Sequence, residues 1–343
     1  MSIKNVKIKN FTVFNDIEVG FSDGVNVIIG ENGTGKTHLM KLICGSKGKD
    51  MKMSDYFKGD TMRKTPKIEK IFKDMGLIQD SDELTVEQAT QLKKLLEEKI
   101  KQHSSTETIK FEEKITIQKI EIDGELDKFV FIPAKEMLSH AKGLLSMSKK
   151  YSKDMPFDSS LLDIIEISQH WKTDVIPEIG KSFLPNLQNI IGGKVVIDSD
   201  GDFSIEKDDG YSVKFSMEAE GIKKIAILWQ LIMNESITKD SVLFWDEPEA
   251  NINPALYKDV AEILLELSRN GVQIFIATHN YNFAKYIEVL SKDSDDVRYH
   301  SLYKTDDGVK CEIEEKFTLL SNNALREDNI NLYDAEMKKE FEE

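Results

Sequence analysis

The chain has 343 residues and a formal net charge of −15, from 46 Lys and Arg against 61 Asp and Glu. An acidic surface argues against strong non-specific binding to DNA or anionic membranes, because phosphate contacts need clustered Lys and Arg. Cys44 and Cys311 form no C-x-x-C pair, so the sequence predicts no zinc or redox motif and favours a reducing cytoplasm. No run of about 18 apolar residues occurs, which predicts no membrane span.

The first 45 residues predict three strands and a helix. Residues 3–11 alternate between apolar and polar side chains, which is typical of an edge strand, and residues 16–22 predict a second strand. The apolar run 25–29 predicts a buried strand that ends in a glycine-rich loop. Apolar residues at helical spacing over 39–43 then predict a helix, so the order is strand, loop and helix.

Two spans interrupt the α/β rhythm and are predicted to be insertions. Residues 46–127 predict a charged helix over 84–102, followed by strands over 108–112 and 115–122. The charge of that helix is typical of a solvated face.

The second predicted insertion, residues 147–214, is a helical region or lid with a small hairpin. Its helical part extends to about residue 191, and its strands over 194–197 and 203–205 turn at Asp200-Gly201.

The rest of the chain predicts an α/β core with a mixed sheet and a β-rich N-terminal edge. Its further elements are a strand over 129–133, a helix over 220–234, a strand over 242–245, a helix over 254–268, a strand over 272–277, a helix over 281–290 and a hairpin over 297–303 and 309–313. The predicted core therefore comprises residues 1–45, 128–146 and 215–316, and residues 317–343 form an acidic tail.

The glycine-rich loop matches G-x-x-x-x-G-K-[ST], a pattern that binds nucleotide phosphates. Glycines let successive N–H groups point at phosphate oxygens, and the helix that follows adds its positive end. Lys36 is expected to neutralise the β- and γ-phosphates, and the Thr37 hydroxyl to bind Mg²⁺. The predicted nucleotide contacts are Asn32, Gly33, Thr34, Gly35, Lys36, Thr37 and His38. A chance glycine-rich turn is the alternative, but the strand before it and the helix after it favour the phosphate loop.

Two further motifs follow predicted strands at the sheet edge where ligands bind in α/β folds. After the apolar run 242–245, Asp246 is expected to hold Mg²⁺ through water, and Glu247 to act as the general base that polarises the attacking water. The alternative is an acidic helix N-terminus. After the strand 272–277, His279 is expected to bond a γ-phosphate; a lone His is usually structural, but its order after the other motifs favours the site.

Together these residues resemble the ABC-type head ATPases, which implies an α/β P-loop NTPase fold of the ABC-ATPase head type and ATP with Mg²⁺ as ligands. Residues 8–11 and 27–37 resemble the RecF/SMC-like branch, and closer still are small bacterial AAA family ATPases related to the OLD proteins. Residues 246–254 resemble the joined B motif and D-loop of that group, which implies that Asn251 and Asn253 lie near the nucleotide of a dimer partner.

The sequence departs from this family pattern at three places. The Ser-x-Gly signature loop, which caps the partner's γ-phosphate, has Ala219 in place of the serine; Gly221 remains, and Lys223 or Lys224 is expected to offset the charge of Glu220.

The other departures concern single polar residues of the family pattern. The early arginine is Thr12, and the Q-loop position has no Gln, so Lys135 or Glu136 is the expected substitute.

The resemblance implies an ATPase switch that dimerises around shared ATP sites and controls a separate nuclease or toxin effector in bacterial anti-phage defence. The chain has no room for long coiled-coil arms and shows no acidic cluster after His279 typical of a Toprim nuclease. One alternative is a RecF-like DNA-repair ATPase that binds DNA when ATP is bound, although the net charge does not favour DNA. Another is an ATPase subunit of a transporter, which the degenerate Q-loop and signature loop disfavour.

Overall fold

A computed structural model describes residues 2–47, 119–124, 128–150 and 159–342. The strands in these ranges are β1 (Ile3–Phe11), β2 (Phe14–Gly20), β3 (Val25–Gly30), β4 (Lys119–Gly124), β5 (Phe129–Ile132), β6 (Gly193–Ile197), β7 (Phe203–Lys207), β8 (Ser212–Lys214), β9 (Val242–Asp246), β10 (Gln273–Ala277), β11 (Val297–Thr305) and β12 (Gly308–Glu314). The α-helices are α1 (Lys36–Lys47), α2 (Leu144–Lys150), α3 (Ser159–Ser168), α4 (Leu184–Ile191), α5 (Glu220–Met233), α6 (Tyr257–Arg269), α7 (Tyr281–Leu290) and α8 (Ala324–Glu342). The helix and strand predicted over 84–102 and 108–112 lie outside the described residues.

The central sheet has six strands in the order β12-β11-β3-β10-β9-β5. All neighbouring pairs are parallel except β11 with β12, so the predicted mixed sheet is confirmed. The strands β3, β9 and β10 are buried along their whole length, as their apolar sequences require in a parallel sheet that is covered on both faces. Their carboxyl ends therefore lie side by side, where ligands bind in such sheets.

Each face of the central sheet packs into its own apolar layer. Leu243 and Trp245 of β9 pack with the helices, whereas Phe244 packs on the side of α1 and the N-terminal strands. The Phe244 ring stacks on Phe275 of β10, with a distance of 4.7 Å between ring centroids. The alternation of these side chains thus divides one continuous apolar strand between two layers.

The strand β1 is the central strand of a three-stranded antiparallel sheet with the order β2-β1-β4. Val6 of β1 pairs with Val19 on one side and with Ile122 of β4 on the other. The prediction that residues 3–11 form an edge strand is therefore wrong. Alternation of apolar and polar residues shows that one face of a strand is buried. Edge and central strands of a sheet with one buried face have the same alternation, so the pattern does not distinguish them. The span 46–127 contributes β4 to this sheet.

The helix α5 joins the central sheet to the span 147–214. All but two of its fourteen residues are buried, as expected for a helix with apolar residues on most of its surface. Trp229 of α5 belongs to the same apolar layer as Leu187 of α4 and Val195 of β6. The described part of 147–214 therefore shares one core with the central sheet.

The predicted elements of the last third of the chain are confirmed, with small shifts of their ends. The helix predicted over 254–268 begins as a 3₁₀ turn, Pro254–Leu256, before α6, and the hairpin over 297–313 is β11 with β12. The predicted tail contains α8, whose charged surface is mostly exposed. No helix in the described ranges is long and apolar enough to cross a bilayer.

One buried side chain ties the N-terminal sheet to the central sheet. The Gln273 amide, 2% exposed, accepts the Ile3 backbone N–H at 2.8 Å and donates to the Ile3 carbonyl at 2.8 Å. Its nitrogen also lies 2.6 Å from the Ser22 carbonyl oxygen. The side-chain amide thus bonds to the Ile3 backbone as the peptide group of a neighbouring strand would.

Replacing Gln273 with Met should destabilise the protein by about 3 kcal/mol, because the buried N–H and C=O of Ile3 lose their partner. Urea unfolding at neutral pH measures the change. A matched control is Gln169→Met, since the Gln169 amide donates to the Gly201 carbonyl at a partly exposed position and its loss should cost about 1 kcal/mol. Equal losses for the two variants would contradict the role given to Gln273.

Candidate functional site

The phosphate loop connects the end of β3 to the start of α1, and two of its glycines are sterically required. Gly30 has a φ of +146°, and a Cβ there would lie 2.3 Å from the Leu302 carbonyl oxygen of β11. Gly35 has a φ of +91°, and a Cβ there would lie 2.6 Å from the Val13 side chain. A side chain at either position would force the loop away from the sheet, so the glycines fix its path.

Within the loop, two side chains bond to backbone carbonyls. The Thr34 hydroxyl donates to the Glu31 carbonyl at 2.9 Å, while Asn32 and Gly33 are exposed at the tip. The Lys36 ammonium donates to the carbonyls of Gly30 at 2.7 Å and Glu31 at 3.0 Å. The ammonium thus lies across the loop at the N-terminal end of α1, where anions bind.

The Lys36 side chain is buried, and burial lowers its pKa to about 8. The carboxylates of Asp246, Glu247 and Glu249 act in the opposite direction and favour the ammonium. At neutral pH most of the population is therefore charged, as binding of a phosphate requires.

A hydroxyl and a carboxylate meet at the sheet edge. The Thr37 hydroxyl of α1 donates to Asp246 Oδ2 at 2.8 Å. Asp246 is 6% exposed; burial raises its pKa, and the bond from Thr37 opposes this shift. Both groups supply the oxygen ligands that Mg²⁺ prefers beside nucleotide phosphates, so the donor set fits this ion.

The two predicted catalytic residues lie together. His279 Nε2 is 3.2 Å from Glu247 Oε1, and each side chain is 35% exposed. Burial lowers the pKa of His279, the charge of Lys36 adds to this effect, and Glu247 opposes it. The imidazole is therefore mostly neutral at pH 7, and its single N–H can be donated either to Glu247 or to a bound phosphate, but not to both.

The backbone of Glu247 is strained, with a φ of +48°. A left-handed conformation at such a residue costs about 1–3 kcal/mol and persists only when its surroundings hold it. The Glu247 N–H donates to the Ala277 carbonyl of β10 at 2.8 Å. Its carbonyl accepts from the Lys224 ammonium at 2.7 Å. Both peptide groups that flank the candidate base are thus held in place.

Glu249 also lies at this site, although the sequence predicts no role for it. Its buried carboxylate accepts the Thr278 hydroxyl at 2.6 Å and the His279 backbone N–H at 3.2 Å. Burial raises its pKa, and the bond from Thr278 opposes this shift. Glu249 therefore fixes the segment that carries His279. The only available signal was its place after Asp-Glu-Pro, because nothing in that polar segment indicates burial.

Some of the predicted residues share one cleft and others lie apart from it. A cleft of about 250 Å³ is lined by Gly33, Gly35, Lys36, Thr37, His38 and His279, together with Val13. Gly221 and Asn251 do not line it but contact each other, because a Cβ on Gly221 would lie 2.6 Å from the Asn251 carbonyl oxygen. The buried Gly221 thus packs the segment that resembles the signature loop against the segment that resembles the D-loop.

The lysines of α5 have different partners. Lys223 is paired with Glu220 at 2.5 Å and with Glu136 at 3.5 Å, so it offsets the charge of Glu220 as expected. Glu136, expected as a substitute at the Q-loop, accepts the Ser139 backbone N–H at 3.0 Å and anchors that segment instead. Lys224 donates to the Glu247 carbonyl at 2.7 Å.

The phosphate loop between β3 and α1, the Thr37–Asp246 pair and the mixed sheet define a P-loop NTPase fold. Residues 1–163 match the family model described as "AAA ATPase domain". Residues 152–284 match the model described as "AAA domain, putative AbiEii toxin, Type IV TA system". Successive parts of the chain are therefore similar to AAA-family ATPase domains.

Similar proteins of known name include the DNA replication and repair protein RecF of Bacillus cytotoxicus, 49% identical over 43 residues. That match covers 12% of this chain and only 12% of the length of RecF. The Smc head domain of Pyrococcus furiosus, solved with an extended coiled coil and the C-terminal domain of ScpA, is 11% identical with a TM-score of 0.45, covering 91% of this chain and 96% of its own. An ATP-binding cassette of an ABC transporter is 14% identical with a TM-score of 0.40, covering 91% and 90%.

The affinity for Mg·ATP should fall as the pH rises through about 8, because Lys36 then loses its charge in the free protein. Between about pH 7 and pH 9 the Kd should rise by about tenfold, measured with a fluorescent ATP analogue. Lys36→Arg is the matched control, because a guanidinium stays charged over this range and should remove the pH dependence. A wild-type Kd that does not change between these pH values would contradict the prediction.

Proposed function

We propose that this chain is an ATP-hydrolysing switch that forms a homodimer around shared ATP sites and controls a separate effector protein. The observation that carries the proposal is the meeting of three motifs at one sheet edge. Thr37 lies 2.8 Å from Asp246, and Glu247 lies 3.2 Å from His279. Lys36 and His279 line the same cleft.

Each of these residues has a distinct part in the proposed hydrolysis of ATP. Lys36 and the N-terminus of α1 bind the β- and γ-phosphates. Thr37 and Asp246 would hold Mg²⁺, which spreads the charge of the phosphates. Glu247 accepts a proton from the attacking water, and the neutral His279 donates its N–H to the γ-phosphate.

The proposed dimer follows from the positions of the signature loop and the D-loop. Gly221 packs against Asn251, and the exposed residues Ala219 and Asn251 of these two loops form a surface that does not line the cleft of their own subunit. In a two-fold arrangement, that surface of one subunit covers the nucleotide of the other. The N-terminus of α5 then supplies backbone donors to the partner's γ-phosphate, although Ala219 provides no side-chain cap.

The proposed effector and its context rest on the family models and on charge. The description of the second matching model names a toxin of a type IV toxin–antitoxin system, which favours a role in bacterial defence against phage. A net charge of −15 favours protein partners over nucleic acid. We infer a cytoplasmic ATPase component whose partner carries the nuclease or toxin activity.

Replacing Glu247 with Gln should lower kcat about 10²-fold or more while ATP still binds, because the amide cannot accept the proton from water. The ATP-bound dimer should then accumulate, and light scattering or size-exclusion chromatography with ATP and Mg²⁺ measures its mass. The control is Lys36→Ala in the Glu247→Gln background, which should stay monomeric because it cannot bind the phosphates. The sandwich model is wrong if the Glu247→Gln protein binds ATP without any rise in mass.

RecF-like binding of DNA is the second candidate, and the short match to RecF favours it. It requires duplex DNA to bind the Glu247→Gln protein only with ATP, and more weakly as salt increases. Fluorescence anisotropy of a labelled duplex, with and without ATP at two salt concentrations, distinguishes this candidate from control of a protein effector.

A further inference from the structure

We propose that Lys224 is a positioning residue by which α5, the helix of the signature loop, holds Glu247 in its catalytic conformation. This inference rests on the proposed function and deepens it, because it identifies the contact that connects the partner-facing loop to the hydrolytic site of the same subunit. The contact is the bond of 2.7 Å from the Lys224 ammonium to the Glu247 carbonyl oxygen.

The geometry at Glu247 explains why this bond matters. The residue has a φ of +48°, which its own side chain disfavours. Its N–H is fixed by the Ala277 carbonyl of β10, and its carbonyl also accepts the Ala250 N–H at 3.1 Å. The N–H of Ala250 belongs to the adjoining turn of the chain, whereas Lys224 reaches the carbonyl from a different element. Lys224 thus connects the strained peptide to α5.

The surroundings of Lys224 make its bond to the Glu247 carbonyl a buried contact and not a solvent-exposed one. Its side chain is 1% exposed, so water does not compete for the ammonium. Burial lowers the pKa of Lys224, and the carboxylates of Glu249, Glu247 and Asp246 oppose that shift and favour the ammonium. Glu249 in turn accepts the Thr278 hydroxyl and the His279 N–H. One buried charge therefore lies between α5 and both catalytic segments.

The position of Lys224 on α5 connects its bond with Glu247 to the signature loop at the start of the same helix. It lies one helical turn after Gly221, and Gly221 packs against the D-loop at Asn251. A partner nucleotide that binds at the start of α5 therefore acts on a helix that is bonded to Glu247. In this arrangement, a displacement of α5 on closure of the dimer is transmitted to Glu247 through the Lys224 bond.

Replacing Lys224 with Met should lower kcat on the order of 10²-fold, because the base is no longer held in place. The Kd for Mg·ATP should change by less than about twofold, since the phosphate loop is intact. The matched control is Lys172→Met, because the Lys172 ammonium also donates to a backbone carbonyl, that of Val195 in β6, at 2.6 Å. This control removes a bond of the same kind elsewhere and should leave kcat unchanged.

A second measurement separates positioning from general loss of structure. In the Glu247→Gln background, Lys224→Met should cause no further loss of the residual kcat, because its effect acts through Glu247. A further large loss in that background, or a kcat for Lys224→Met within about twofold of Lys172→Met, would overturn the proposal. If the Met variant does not fold, Lys224→Gln replaces it with the same expectations, since the shorter amide keeps a polar end beside Glu249.

The outcome for Lys224 is distinguishable from the outcome for the switch itself. If the wild type turns over ATP without dimerising, the switch fails while the kcat comparison still tests Lys224. If the wild type does not hydrolyse ATP at all, a crystal structure of Lys224→Met decides. A change of the Glu247 φ to a negative value supports the proposal, and a retained positive φ refutes it.

Discussion

The parallel pairing of β3, β10 and β9 is the constraint on which the candidate site depends. Ala277, the last residue of β10, pairs with Ile28 on one side and with Asp246 on the other. The hydrogen bonds continue past the strands, because the Thr278 N–H donates to the Ile28 carbonyl and the Glu247 N–H donates to the Ala277 carbonyl. The sheet ladder therefore sets the positions of the phosphate loop, the base and the histidine relative to one another.

This edge of the sheet holds several charges that are largely removed from water. Lys36, Lys224, Asp246 and Glu249 are each buried, and burial shifts each pKa toward the neutral form. Buried charges that are paired in this way are poor evidence for stability, because desolvation offsets much of the attraction. Where burial excludes water, it also strengthens the attraction between the Lys36 ammonium and a phosphate, so the same burial that costs stability favours phosphate binding.

The sequence predicts those parts of the site that depend on local patterns. The phosphate loop, Asp246 with Glu247, and His279 each follow a short apolar strand, and the order of these motifs places them at one edge. The contacts of Lys224 and Gln273 could not be predicted, because they join side chains to backbone groups 23 and 270 residues away. Glu249 was missed for a similar reason, since its burial results from how the loops after β9 and β10 pack. The central place of β1 in its sheet could not be predicted either, because it results from pairing with β4, which lies more than 100 residues later in the chain.

At the start of α5, the acidic residue Glu218 bonds to the position where the family pattern has the signature serine. Ala219 provides no side-chain cap, but the neighbouring Glu218 accepts the Ala219 N–H at 2.9 Å. Glu218 is also paired with Lys207 of β7 at 2.6 Å, at a position that is mostly buried.

Three ionic or charge-assisted bonds are therefore made just before α5 and in its first turns. Glu218 bonds to Lys207 of β7, Lys223 to the segment after β5, and Lys224 to Glu247. Because all three bonds leave one short stretch of backbone, the start of α5 cannot shift without straining at least one of them. These bonds thus connect β7, the segment at the Q-loop position and Glu247, the proposed base, to the surface that is proposed to face a partner's nucleotide.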